Sequence, residues 1–310
     1  MIPSEEIQVN TINHLGLIAG IVDDIGLEQI INEILGCDNR ELVTPGQVVK
    51  AIILNGLGFV SKPLYLFPQF FEDKATEHLL GKGVEAKHLN DDKIGRVMDK
   101  LYAKGLSSIF MLIALSVVKK HQISTSFSHL DSSSFSVHGQ YLDIKAITDN
   151  QQNNVETEPI PIKITHGYSR DHRPDLKQFI IDLVVSEDGG MPLFLRAGDG
   201  NEQDRAVFGQ VAKQYESMID FETILVFDSA FFTANNLQLM SESKWLSRVP
   251  LSLKTAQKLV DSVDSKESNK SSIKGYSWKE VESNYGGIKQ RWLVVESQKR
   301  KESDSKNLLK

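Results

Sequence analysis

Cys37 is the single cysteine in this 310-residue chain. That excludes an internal disulfide framework and a cysteine-based zinc site, and it fits a reducing cytoplasm. No basic segment followed by an apolar run opens the sequence, so no signal peptide is expected. Long hydrophobic runs are also missing. The longest, residues 109–118, is too short to span a bilayer and reads as a buried helix, so no membrane partner is expected. There is no basic excess either: the net charge of −6 argues against a simple nucleic-acid binder. Ser132 to Ser134 lack a Gly-x-Ser-x-Gly frame, which argues against a serine nucleophile. Gly198-Asp199-Gly200-Asn201 lacks the glycine spacing and the Lys-Ser/Thr of a phosphate-cradling loop.

The charge is unevenly spread. Residues 1–125, 126–250 and 251–310 carry local balances of −3, −8 and +5. An acidic middle is where excess carboxylate would attract cations, and a basic end would suit a phosphate backbone.

Two stretches in that acidic middle carry the chemistry. In the first, Phe127, His129, Asp131, Ser133, Phe135 and Val137 share one parity, the period-two pattern of a β-strand. Asp131 lies in the row with Phe127, Phe135 and Val137, so a carboxylate interrupts the row expected to enter the core. An ionised carboxylate there is costly unless it is paired or holds a metal. In the second, residues 224–227 form a short apolar run, as in a strand buried on both faces, and Asp228 stands at its end. Two carboxylates on adjacent strands suit a two-metal phosphoryl-transfer site, in which hard divalent cations take oxygen ligands. His129 shares the Asp131 face and is a candidate ligand; the alternative is a half-buried polar neighbour. Arg170, Arg173 and Lys177, in the polar group around His166 to His172, are candidate contacts to DNA phosphates. The alternative for that group is a solvated hairpin end.

Up to about residue 120 the spacing predicts helices throughout. Thr44-Pro45-Gly46 opens one of them and Asn90-Asp91-Asp92 caps another. This head (1–120) could bind DNA, dimerise or support the core. Strands are expected at 162–168, 178–186 and 192–197, then a helix from about 201, the strand ending at Asp228, a helix at 234–243, a strand at 245–249 and a short helix at 254–260. That order predicts an α+β, ribonuclease-H-like mixed sheet over 121–260. Residues 149–158 read as a hairpin loop or linker and 261–272 as a mobile connection. A hairpin around Asn284 to Gly287 then begins a β-rich insertion within 261–310, which ends in a charged, Ser-rich tail.

Several motifs together resemble a known family. They are Thr44-Pro45-Gly46 through Phe59, Pro63-Leu64-Tyr65-Leu66-Phe67-Pro68 through Lys74, His129-Leu130-Asp131-Ser132, the run from His166 to Gln178, Gly200-Asn201 with Asp204, Asp228-Ser229-Ala230, and Tyr285-Gly286-Gly287 with Gln290-Arg291-Trp292. The chain resembles the DDE transposases of bacterial insertion sequences, in the sixteen-thirty-four family allied to the insertion-sequence-four group. The resemblance implies DNA strand cleavage and strand transfer with two Mg²⁺ or Mn²⁺ ions. It also implies transposon terminal inverted repeats and target DNA as partners, a homodimer, and a cytoplasmic, nucleoid-associated protein. Asp131 and Asp228 match the first two of the family's three acids. The third is a Glu on a helix, within a Tyr/Arg/Glu/Lys pattern that no stretch here fits; Glu280, Glu282 and Glu296 lie in or beside the expected hairpin. The chain therefore reads as a C-terminally truncated transposase, inactive alone. The alternatives are a non-catalytic DNA-binding or regulatory fragment and a nuclease using two acids.

Overall fold

The computed structural model describes residues 9–38, 40–141, 161–169, 171–263 and 268–308. It divides into two compact units, one chiefly residues 1–124 and the other chiefly 125–139, 164–190 and 198–310. The linker expected at 149–158 lies outside the described residues, as do residues 264–267 of the expected connection.

The first unit is helical: α1 (Leu15–Ile25), α2 (Leu27–Leu35), α3 (Pro45–Gly56), α4 (Phe67–Phe71), α5 (Thr76–Leu80), α6 (Asp91–Lys104) and α7 (Leu106–His121). Gly26 separates α1 from α2 in the left-handed region, at φ 77°, which favours a residue without a Cβ. Thr44 caps α3 through a reciprocal box with Gln47, and Pro45 sits where a missing N–H costs nothing. Asn90 caps α6 by accepting from the Lys93 N–H at 2.9 Å. Leu15, Val48, Leu54, Phe67, Phe70, Phe71 and Ile94 form the core. Lys50 is buried in it and pairs with Asp23 at 2.5 Å, which offsets the cost of withdrawing an ammonium from water. Among the described residues no single helix is long and apolar enough to cross a membrane.

After the helices the chain runs through β1 (Phe127–Val137), β2 (Lys177–Ser186), β3 (Pro192–Gly198), α8 (Asp204–Glu216), β4 (Ile224–Phe227), α9 (Ala234–Leu239), β5 (Trp245–Ser247) and α10 (Lys254–Ser262). The strands form one sheet in the order β3-β2-β1-β4-β5. β1 runs antiparallel to β2 and parallel to β4, and β4 runs parallel to β5. This mixed order, with α8 between β3 and β4, is the ribonuclease-H-like arrangement expected. The strand expected at 162–168 is instead irregular chain with one bridge, Thr165 to Gln178. The described chain continues through β6 (Asn269–Lys270), β7 (Tyr276–Tyr285), β8 (Ile288–Ser297) and α11 (Gln298–Leu308), so part of the expected tail is helical.

The face of the sheet under α8 is unusual in composition. Ser128, Leu130 and Ser132 of β1 are buried, as are Gln178, Ile180, Asp182, Val184 and Ser186 of β2. Small hydroxyl side chains let the helix approach closely, and each polar group shown there has a partner. Ser128 Oγ lies 3.1 Å from the Tyr215 hydroxyl and 2.9 Å from Thr223 Oγ1, and Ser132 donates to Asp182 Oδ1 at 2.5 Å. Phe208, Val211 and Ala212 of α8 complete the contact layer. The row expected to enter the core, which holds Asp131, is therefore the outer one: His129, Asp131, Ser133 and Phe135 are exposed. Alternation fixed the parity but not its sense, because serines read as polar although here they are buried and hydrogen-bonded.

Burial pushes the Tyr215 phenol up to about 12, against a lowering by the Ser128 hydrogen bond. An unfolded tyrosine ionises near pH 10. Between those values the folded chain keeps a proton that the unfolded chain has lost. Stability is thus fully present below about pH 10 and falls by about 1.4 kcal/mol per pH unit as pH rises towards 12. Tyr215→Phe is expected to lack this slope when urea midpoints are compared across that window. An identical slope in the variant would assign the loss to other groups.

Candidate functional site

Asp131 and Asp228 are brought level by the β1–β4 register. Phe127 pairs with Ile224, Ser128 with Leu225 and His129 with Val226. Continued two residues along both strands, that register puts Asp131 level with Asp228. Asp228 is still extended, at φ −75° and ψ −176°, so the register carries through it. Adjacent strands lie about 4.8 Å apart, and residues level on parallel strands point to the same face. Both aspartates are exposed.

Each carboxylate is oriented by its own backbone. Asp131 Oδ1 accepts from the Ser132 N–H at 2.8 Å, and Asp228 Oδ1 accepts from the Ala230 N–H at 2.8 Å. The second bond caps a short 3₁₀ turn, Ser229–Phe231, that follows β4. Ser247 Oγ donates to the Asp228 carbonyl at 2.8 Å, which ties the strand end to β5. The turn is anchored by packing: Phe227 and Phe231 stack with ring centroids 3.9 Å apart. Carboxylate oxygens are the donors that hard divalent ions take.

The other expected site residues are placed differently. His129 is two residues from Asp131 on the same exposed face. Arg173 forms a two-pronged bond with Asp175, at 2.9 and 2.8 Å, which holds the Asp175 carboxyl below its usual range. Its guanidinium is thus already occupied. Lys177 opens β2 opposite Val137. Arg170 lies outside the described residues. Of the glutamates weighed as a third acid, Glu280 pairs with Arg291 at 3.1 Å and Glu296 with Lys301 at 2.6 Å. Among the described residues no group of three or more His, Cys, Asp or Glu side chains could hold a metal ion. The two aspartates fit a divalent ion as hard-oxygen donors, but the described chain does not complete a three-acid centre.

Sequence reasoning missed the supports of this site. Gln178 is buried, and its Nε2 donates to the Gly200 carbonyl at 2.7 Å and to the Tyr168 carbonyl at 3.2 Å. The Gln178 end of the motif from His166 is therefore a packing device. The Tyr285-Gly286-Gly287 motif likewise docks the β7–β8 hairpin. Phe232 stacks on Tyr285 at 5.2 Å and meets Trp292 edge-on, while Gln238 donates to the Gly286 carbonyl at 3.0 Å. The buried Asp182, inside the apolar run from Phe179 to Val185, was the one available signal of a polar layer beneath β1.

Comparison with known proteins places these features. The solved structures similar to this chain include a Mos1 transposase paired-end complex with left transposon end, at 10% identity and a TM-score of 0.24, covering 61% of this chain and 60% of that one. They also include a piggyBac transposase synaptic complex with hairpin DNA, at 9% identity and a TM-score of 0.37, covering 94% of this chain and 61% of that one. The chain thus spans about 60% of the length of these structures, and a likeness at such scores carries no argument here. A search of curated proteins finds no match. Residues 7–115 match a family model described as a domain of unknown function (DUF4277). Residues 124–301, more than half of the sequence and including both aspartates, match the model of the transposase DDE domain, and the chain belongs to that family.

Proposed function

We propose that this chain is an insertion-sequence transposase, of the sixteen-thirty-four family allied to the insertion-sequence-four group, whose Asp131 and Asp228 are the first two metal-binding acids. The observation that supports this is the β1–β4 register, which runs to within two residues of both exposed aspartates. A DDE transposase domain implies a divalent metal; Mg²⁺ or Mn²⁺ is the proposed ion. When bound, two such ions activate the attacking oxygen and stabilise the leaving oxygen of a phosphodiester. The chain's own residues supply oxygen donors fixed by the Ser132 and Ala230 N–H groups, so little reordering accompanies binding. Arg173 and Lys177, with Arg170, are proposed to meet DNA phosphates. Arg173 then exchanges Asp175 for a phosphate, a swap between two bidentate acceptors of the same geometry.

The helical head is proposed to contact transposon ends, with target DNA meeting the catalytic domain. Two carboxylates supply half the charge of two divalent ions, and the Tyr/Arg/Glu/Lys pattern is not among the 310 residues. The chain alone is therefore expected to bind terminal-repeat DNA without cutting it. Anisotropy at one fixed salt concentration should show tighter binding to terminal-repeat duplex than to unrelated duplex, and Mg²⁺ or Mn²⁺ should release little product. Equal affinity for both duplexes would remove the end-binding role. Robust cleavage abolished by Asp131→Ala would show that an acid within the chain, Glu296 or Glu242, completes the centre.

A further inference from the structure

A cleft of about 370 Å³ in the helical head has no assigned role. That volume lies within the range of pockets that hold small organic groups, roughly 300 to 1,000 Å³. One wall is Phe59, 84% exposed, with the His14 ring against it at 4.1 Å between centroids. Phe70 lines the cleft as well, with the Lys74 ammonium 5.1 Å from its ring centre. Lys62 and Asp73 also line the cleft, and Lys74 already matches the Asp73 charge at 2.8 Å. No carboxylate pairs with Lys62 among the described residues.

The cleft is held open by its own hydrogen bonds. Asn55 grips the Lys62 backbone twice, donating to its carbonyl at 2.9 Å and accepting from its N–H at 2.8 Å. His14 Nε2 lies 2.9 Å from the Leu57 carbonyl. A carbonyl only accepts, so Nε2 carries the proton and Nδ1 is left as an acceptor. Among the described residues that buried Nδ1 has no partner. An occupant of the cleft meets the face of Phe59 that His14 leaves free and the Lys62 ammonium, so it is flat and carries an anion. A full-width duplex cannot enter a space of this size, whereas one base can.

The geometry points to a nucleotide site: an unpaired DNA base stacks on the free face of Phe59 and sets its phosphate on Lys62. This rests on the proposed action on DNA and specifies which part of a DNA end the head holds.

The test uses the full chain, a blunt duplex, and the same duplex with a short single-stranded overhang carrying 2-aminopurine, at one salt concentration. The wild-type chain should bind the overhang duplex more tightly and quench the 2-aminopurine. Phe59→Ala should weaken overhang binding on the order of tenfold, as loss of one stacked base does, and leave blunt-duplex binding unchanged. Lys62→Ala should lower the salt dependence of overhang binding by the share of one phosphate contact. Equal wild-type affinity for both duplexes, or equal loss on both in Phe59→Ala, would overturn the site while leaving DNA binding intact. Binding to neither duplex would overturn this inference and the DNA-acting reading together.

Discussion

Replacing either Asp131 or Asp228 by asparagine is expected to weaken Mn²⁺ binding by at least about a hundredfold, the upper end of what losing even an outer-shell partner costs. The amide keeps the shape and one oxygen but removes the charge. Because the register sets the two carboxylates level, they serve one ion together, and removing the first leaves little for the second to hold. The double variant should thus bind scarcely worse than either single one, a non-additivity that marks a shared site. Neither change should alter folding much, since both side chains are exposed and the backbone N–H groups they orient lie within two residues. Electron paramagnetic resonance titration with Mn²⁺ reads the affinity without requiring turnover. Two small, additive losses would show that the aspartates act separately and would end the proposal of a common centre.

Gly200→Ala is expected to cost at least about 3 kcal/mol of stability, the top of the usual range for overpacking. A Cβ at this position would stand 1.9 Å from the Gln178 carbonyl oxygen and 2.7 Å from that of Thr165. Those obstacles are backbone, and both carbonyls are fixed by the paired bonds between Thr165 and Gln178, at 3.1 and 2.9 Å. Gly167→Ala should be comparably damaging, because its Cβ would lie 2.0 Å from the Gly200 carbonyl. The three tryptophans, Trp245, Trp278 and Trp292, all belong to the second unit, so their fluorescence in urea follows this unit directly. Gly95→Ala, in α6 with nothing within 4 Å of the added carbon, serves as the contrast. It should stabilise its helix by about 0.5 to 1 kcal/mol, followed by circular dichroism. An unchanged midpoint in Gly200→Ala would show that the three strands of backbone there are not in close contact.

The docking of the hairpin explains why a β-rich segment belongs to the same unit as the sheet. Trp292 is almost fully buried, and its indole N–H donates to Gln290 Oε1 at 2.8 Å. Gln290 in turn donates to the Tyr285 and Ile288 carbonyls, at 3.1 and 3.3 Å, across the Gly286-Gly287 turn. One glutamine thus fixes both the turn and the aromatic anchor. The spacing Tyr-Gly-Gly-x-x-Gln-x-Trp is the trace of that arrangement in the chain.

The sequence by itself determined the local elements whose signals are local. Thr44 with Pro45 started α3, Asn90 capped α6, alternation marked β1 and β7–β8, and a terminal aspartate after an apolar run marked β4. It also determined the order of strands and helices, from which the mixed sheet followed. The tertiary structure decided which side of β1 faces α8. That choice depends on partners far away in the chain, Tyr215, Thr223 and Asp182, which make Ser128 and Ser132 acceptable burials. It decided, too, that residues 162–168 form one bridge rather than a strand, since Gly167 and Gly200 require backbone-to-backbone approach that no periodicity reports. Above all it decided the β1–β4 register, which leads towards Asp131 on one strand and Asp228 on the other, ninety-seven positions apart in sequence. Period and capping act over a few residues, whereas register between strands is set by the packing of everything the chain folds between them.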